Sequence, residues 1–434
     1  MKSKNLYRFL ITFFLCFMIT NIYASNELDL TAKTAIAVDA DTLNILYGKE
    51  INTKVYPASI TKIMTAILAL ENLDLNKSIT VSKTAIQIPW DSSSIYLKEG
   101  EILTVEELLY GLLLDSGNDA ANVLGEAVSG SLSDFYSLMN KKAKELGCTG
   151  TNFVNAHGYS HDDHYTTALD IAKIFSYCVK NETFLKIIST KFYIIDETNK
   201  TNEKRYLANT NRLILTEEDS ENSRYYEYAI GGKTGYTYDA GRTLVTIGKK
   251  DDKTIITAVF KSGLLNGKDA RYNDAVSLFE YSFNNFEKVD IAYDRDFNFI
   301  YTNYNNKLKY NLILKDDLQL LININENITD ISYDIYLNEE ILQTIEEKET
   351  TNEAVGKIKF VINTTGESYK LDHNLYLDDV TSFAIINKSN YVIWIISFVF
   401  TGIVITSMII AKIHINKNKP KRKHRQMNSK YIRK

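Results

Sequence analysis

"YPASITKIMTAILALE", residues 56–71, sets Ser59 and Lys62 three positions apart and then runs into an apolar stretch. Pro57 suits the first turn of a helix. From there Ile63, Ala66, Ile67 and Leu70 fall at the i, i+3, i+4, i+7 spacing of a buried face. Residues three apart share one side of a helix, so the Lys62 amine can reach the Ser59 hydroxyl. A capping serine and a snorkelling lysine give the same pattern. The pair alone decides nothing, and the rest of the chain has to choose.

The chain is 434 residues long with 45% apolar content, enough for two or three domains with cores of their own. Residues 1–24 read as a secretory signal: Lys2, Lys4 and Arg8 precede a short apolar core, and Ile22-Tyr23-Ala24 resembles a cleavage site. Cys16 lacks the small neighbours of a lipoprotein signal. Near the other end, Tyr391 to Ala411 carries no charge and is long enough to cross a bilayer as a helix, within a span taken as 390–411. The tail 412–434 holds ten Lys or Arg and no acid, so it is expected on the cytoplasmic side.

The net charge of −4 includes three positive charges in the signal and ten in the tail, which leaves −17 on the segment between them. An acidic ectodomain argues against a nucleic-acid partner. Cys148 and Cys178 are the only cysteines there, too few for a disulfide framework, and spacing leaves open whether they pair.

Between the two termini the pattern changes twice. Residues 34–50 alternate about a polar turn, which predicts a hairpin. Helical signals run from Pro57 to about Val179, with a capping box at Thr104 and Glu107. Strand signals return over 228–260, with a polar turn at Lys249–Lys253, and a helix follows near Ala270–Phe283. Strands at both ends with helices between predict an α/β (α+β) domain, residues 25–284, built as an antiparallel sheet flanked by helices. Residues 285–385 read as short strands and polar turns, a small all-β sandwich domain.

Two further patches join the opening stretch. "LLLDSGNDAAN", residues 112–122, ends one helix in Ser116-Gly117-Asn118 before another begins. "IGGKTGYT", residues 230–237, places Lys233 and Thr234 in a strand bracketed by glycines, whose use in a strand is close approach by another backbone. In this order the three patches resemble the signature of the penicillin-recognising serine acyltransferases, S-x-x-K, S-x-N and K-T-G. The chain is more similar still to the low-molecular-weight D-alanyl-D-alanine carboxypeptidases of peptidase family S11. The segments "TNFVNAHGY" (151–159), "HYTTALDIAKI" (164–174) and "GGKTGYTYDAGRTLV" (231–245) carry that likeness over roughly residues 30–285.

The resemblance implies a β-lactamase/transpeptidase-like fold and a set of roles. Ser59 attacks the carbonyl between two D-alanines, and Ser116 relays a proton to the departing amine. Asn118 hydrogen-bonds the substrate peptide, while Lys233 and Thr234 meet its terminal carboxylate. The N–H groups of Ser59 and Tyr236 form the oxyanion hole, and substrate lies along the strand through Gly235 and Tyr236. Arg271 falls where the family has a carboxylate-binding arginine. With no His–Asp pair beside Ser59, Lys62 is the base, which requires a neutral amine. Lowering a lysine from ~10.4 to about 7.5 costs roughly 4 kcal/mol, and burial beside a second cation, Lys233, supplies it.

The expected function is a membrane-anchored serine D,D-carboxypeptidase acting on peptidoglycan stem peptides that end in D-Ala-D-Ala, acylated by β-lactam antibiotics and using no cofactor. A β-lactamase is the runner-up, although Glu203, Glu217, Glu218, Glu221 and Glu227 lack the context of a deacylating glutamate. A β-lactam sensor would need a cytoplasmic effector larger than the basic tail. "HGYSHDDHY", residues 157–165, offers His157, His161 and His164, but the spacing fits no familiar zinc pattern and the stretch reads as an exposed loop.

Overall fold

The computed structural model describes residues 28–221, 223–290, 299–302, 309–314, 319–338, 341, 354–366 and 368–377. The expected signal, the span at 390–411 and the tail 412–434 lie outside these residues. Among the described residues no helix is long and apolar enough to cross a membrane.

The chain opens with a hairpin, β1 (Thr34–Asp39) and β2 (Ile45–Lys49), and passes into a 3-10 turn at Ala58–Thr61 and helix α1 (Lys62–Asn72). Short strands β3 (Ser78–Thr80) and β4 (Ile102–Thr104) pair with each other. Helices α2 (Val105–Leu113), α3 (Asn118–Ser129), α4 (Leu132–Glu145), α5 (Ala168–Val179) and α6 (Glu182–Ser189) follow. A second hairpin, β5 (Phe192–Ile195) and β6 (Arg205–Ala208), leads to three long strands: β7 (Ala229–Thr237), β8 (Gly241–Lys250) and β9 (Lys253–Ser262). Helix α7 (Arg271–Asn285) closes this unit.

The main sheet is antiparallel in the order β2-β1-β9-β8-β7, so the strand that carries Lys233 and Thr234 is an edge. Both faces of the sheet are covered. Along β1, Ile36 and Val38 face a cluster with Ile63, Ile67, Leu108 and Phe175, whereas Ala35 and Ala37 face one with Leu278, Phe279 and Phe283 of α7. Burying each such Leu, Ile or Phe contributes about 1.5–3 kcal/mol. Helix α1 is buried nearly all round, Lys62 included, which marks it as a central helix rather than a surface one. The Thr104 capping box forms: Thr104 Oγ1 accepts from the Glu107 N–H while Glu107 accepts from the Thr104 N–H.

The start of α1 departs from the sequence reading. Ala58 sits at φ +50°, and a 3-10 turn precedes the helix proper, which begins at Lys62. A left-handed alanine is strained by 1–3 kcal/mol and persists only where packing imposes it.

Beyond Asn285 the strands at 299–302, 309–313, 368–377, 356–364 and 328–337 form a five-stranded antiparallel sheet in that spatial order. Strand 286–290 pairs with 319–323. Leu320 and Ile322 of that ladder pack with Ile358, Phe360 and Leu371 of the larger sheet, giving this region an apolar cluster of its own.

Candidate active site

The 3-10 turn holds Ser59 half-buried at the head of the central helix, and its N–H precedes the first bond of the turn, Ile60 N–H to Pro57 O. Lys62, three residues on and fully buried, places Nζ 3.0 Å from Ser59 Oγ, 2.7 Å from Asn118 Oδ1 and 2.8 Å from the His157 carbonyl. Two of these partners can only accept. A neutral amine has two N–H donors and one lone pair, so donation to Asn118 and His157 leaves the lone pair facing the Ser59 hydroxyl. The geometry is that of a base already aimed at its proton. Burial holds the Lys62 amine well below the usual lysine range and the charge of Lys233 lowers it further, while Asp119 opposes both.

The three patches read in the sequence line one cleft of about 960 Å³, together with His157, Tyr159, Thr210 and Arg212. Ser116 stands at φ +64° between α2 and α3, buried, its hydroxyl without a hydrogen-bond partner among the described residues. The loop opposite is fixed by Asp119, whose carboxylate accepts from the Ser94 hydroxyl and from the N–H groups of Ile95 and Leu97. Lys233 is fully buried and donates to the Thr234 carbonyl at 3.2 Å. Burial and then the Arg271 charge push it down to about 7, against the pull of Asp115. Thr234 donates its hydroxyl to Thr210 at 2.7 Å.

Gly235 lets the edge strand come against the nucleophile's turn. A Cβ there would lie 3.0 Å from Ser59 N and 2.5 Å from Thr243 Oγ1. Gly235→Ala is therefore expected to push β7 off Ser59, slowing acylation by at least about 10²-fold with a stability loss of about 1–3 kcal/mol. Acylation kinetics and thermal unfolding check this, and wild-type acylation would refute it. Gly158 performs the matching task from the other side. At φ +89° it faces the strained Ala58, and a Cβ would fall 1.8 Å from the Ala58 carbonyl oxygen.

The histidine segment is exposed as expected at His161, Asp162 and Asp163 but buried at both ends. His164 is 1% exposed and His157 8%, because this segment packs beneath the Ser59 turn. The Val154 N–H donates to His164 Nδ1, so Nε2 carries the proton given to Thr61 Oγ1 at 2.8 Å. Burial foremost pulls both imidazoles down to about 3 and keeps them neutral. Cys148 and Cys178 are separate buried thiols rather than a bridge.

Arg271 lines the same cleft, with most of its donors engaged inside the protein. Its Nε and Nη2 engage Asp269 at 2.6–3.0 Å, and Nη1 donates to the carbonyls of Gly235 at 2.9 Å and Thr243 at 3.1 Å. The guanidinium of Arg212, on the cleft wall beside Thr210, has no hydrogen-bond or ion-pair partner among the described residues, although its charge acts on Tyr272. No spacing rule singled out Arg212, and the family-like segments that carried the Ser59, Ser116 and Lys233 patches did not include it. The His157 carbonyl was equally invisible, being a backbone group.

The family model for D-alanyl-D-alanine carboxypeptidases (Peptidase_S11) matches residues 21–263. D-alanyl-D-alanine carboxypeptidase DacF of Bacillus subtilis is 36% identical over 267 residues, a match covering 61% of this chain and 65% of that relative's length. The D-alanyl-D-alanine carboxypeptidase of Streptomyces sp. K15 is 34% identical over 260 residues, covering 57% and 85%. Among solved structures, the D-alanyl-D-alanine carboxypeptidase of Mycobacterium tuberculosis aligns with a TM-score of 0.54 at 29% identity, over 60% of this chain and 95% of that one. The Streptomyces K15 DD-transpeptidase aligns with a TM-score of 0.53 at 33% identity, over 59% and 98%.

Proposed function

The chain belongs to the peptidase S11 family of D-alanyl-D-alanine carboxypeptidases, and from that premise we propose that it is a serine D,D-carboxypeptidase that removes the terminal D-alanine from peptidoglycan stem peptides. One observation carries the mechanism: the buried Lys62 amine, with both donors occupied, presents its lone pair to Ser59 Oγ at 3.0 Å.

Lys62 takes the Ser59 proton as Oγ attacks the penultimate D-Ala carbonyl. The N–H groups of Ser59 and Tyr236 stabilise the oxyanion. As the C–N bond breaks, Lys62 and the unpartnered Ser116 hydroxyl return a proton to the leaving amine. D-alanine departs, leaving an ester on Ser59. Water, deprotonated in turn, cleaves that ester and restores the serine. Thr234 and Lys233 receive the terminal carboxylate, with Arg212 as a further cation on the same wall. β-Lactams enter by the same attack and stay as the ester. The β-lactamase reading finds no support in the cleft: its acids are Asp91, Asp115, Asp219, Asp239 and Asp269, with no glutamate among the described residues.

The 390–411 segment anchors the enzyme in the membrane and residues 285–385 separate the cleft from the bilayer; the support for this is the uncharged stretch and the basic tail behind it. Both parts are tested in one experiment. Fractionated cells expressing the chain should release D-alanine from D-Ala-D-Ala peptides in the membrane fraction, and deleting 390–434 should move the activity to the soluble fraction. No D-alanine release in either fraction would reject the activity, and soluble activity of the full chain would reject the anchor.

A further inference from the structure

Two aspartates flank the Ser116-Gly117-Asn118 turn, Asp115 just before it and Asp119 just after. Each charge acts on one of the two fully buried lysine amines, Asp119 on Lys62 and Asp115 on Lys233. The two carboxylates are held differently. Asp119 is buried and accepts from the Ser94 hydroxyl and from the N–H groups of Ile95, Leu97 and Ala120. Asp115 lines the open cleft and accepts from a single group, the Ala208 N–H of β6, at 3.1 Å. Its second oxygen has no hydrogen-bond partner among the described residues. Four donors occupy the Asp119 carboxylate, whereas most of the acceptor capacity of Asp115 stays open toward the cleft.

Lys233 is short of partners in the complementary sense. As an ammonium it has three N–H donors, and one acceptor meets them, the Thr234 carbonyl at 3.2 Å. Its register partner on β8, Val245, brings an apolar side chain. The charged groups that face it are Lys62 from α1, Arg271 from the start of α7 and Asp115 from the α2–α3 turn. Burial and then Arg271 favour the neutral amine, although Asp269 pairs with that guanidinium and offsets part of its charge. Asp115 supplies the opposing pull. Burial raises its own carboxyl above the usual value, against the Ala208 N–H and the Lys233 charge.

Resting on the carboxypeptidase reading, we propose that Asp115, fixed by the Ala208 N–H, is a positioning residue whose carboxylate is the counter-charge that keeps Lys233 an ammonium for the substrate's terminal carboxylate. A mere tether between the α2–α3 turn and the β5–β6 hairpin would need only an acceptor oxygen at this position. A counter-charge needs the negative charge itself. With Asp115 present the Lys233 proton is held to higher pH; without it the amine turns neutral at lower pH, and the incoming carboxylate loses its partner there.

The test is the pH profile of kcat/KM for D-alanine release from a D-Ala-D-Ala peptide by the full chain, in wild type, Asp115→Asn, Asp115→Ala and Asp115→Glu. Asp115→Asn keeps an acceptor for the Ala208 N–H and removes only the charge. Its alkaline limb, which Lys233 sets at about 7 in the wild type, should move to lower pH by about 0.5–1 unit, the effect of one partly exposed neighbouring charge. Above the limb that shift is a loss of about 3- to 10-fold, with a smaller change on the plateau. Asp115→Ala should move the limb as far, and Asp115→Glu should return it toward the wild-type position. The limb is a pH read within one preparation, so a partly unfolded fraction does not alter it. An alkaline limb unmoved in Asp115→Asn and Asp115→Ala would overturn the proposal, as would a loss in Asp115→Asn that is equal at every pH. A wild-type chain that neither releases D-alanine nor is acylated by penicillin would overturn the carboxypeptidase reading, and the proposal with it.

Discussion

Penicillin treatment is expected to add one antibiotic mass to the wild-type protein and none to Ser59→Ala. Ser59 is the hydroxyl that faces the Lys62 amine, at 3.0 Å, and it stands half-exposed on the cleft. Ser116 lines the same cleft, but the three polar contacts of Lys62 go to Ser59, Asn118 and His157. Deleting Ser59 Oγ leaves no activated nucleophile, and D-alanine release should fall by about four to six orders of magnitude. Intact-mass analysis with peptide mapping is decisive here. Stoichiometric labelling of Ser59→Ala, at Ser116 or elsewhere, would remove the catalytic assignment while leaving the fold untouched.

The second large effect is at Lys62. Lys62→Met keeps the apolar stem in its buried slot and removes the amine, so acylation should fall by about 10²–10⁴-fold, the usual worth of a general base. The pH dependence carries more information. Only the neutral amine accepts a proton, so the rate should fall tenfold per pH unit below the pKa of Lys62. Because burial and Lys233 lower that pKa, the neutral form persists to lower pH than a free lysine would allow, and activity survives near neutrality. Lys233 works in the opposite sense. It must be charged to attract a carboxylate, and burial with Arg271 pushes it down to about 7, so rates on carboxylate substrates should decline as pH rises past that point. The bell belongs to the coupled pair rather than to either lysine alone. Lys233→Arg keeps its charge at every accessible pH and should erase the alkaline limb. A kcat/KM profile without an acid limb in the wild type would contradict Lys62 as base.

Several features were legible because they are local. The i, i+3, i+4, i+7 row from Ile63 to Leu70 is a property of eight consecutive residues, and most of that face is buried as read. The Thr104–Glu107 capping box is a four-residue device, and both of its hydrogen bonds form. The glycines around Lys233 announced close backbone approach, and Gly235 meets the Ser59 turn. The histidine segment misled for a related reason. "HGYSHDDHY" looks solvated by composition, yet His157 and His164 are buried because Lys62 and Thr61 come to them from 90 or more residues away.

The sequence by itself determined that a hydroxyl and an amine share one helical side, that glycines bracket the Lys233 patch, and that the segment 25–411 is acidic. Spacing along a chain sets the side-chain direction within an element, so these needed no partner. Only the tertiary structure decided that Lys62 is fully enclosed, that the His157 carbonyl takes one of its protons, that Cys148 and Cys178 stay apart, and that Arg271 serves the Gly235 carbonyl. Each of these depends on which distant group arrives at a given point. Protonation and hydrogen-bond direction follow from that arrival, because burial penalises charge and every buried donor requires an acceptor.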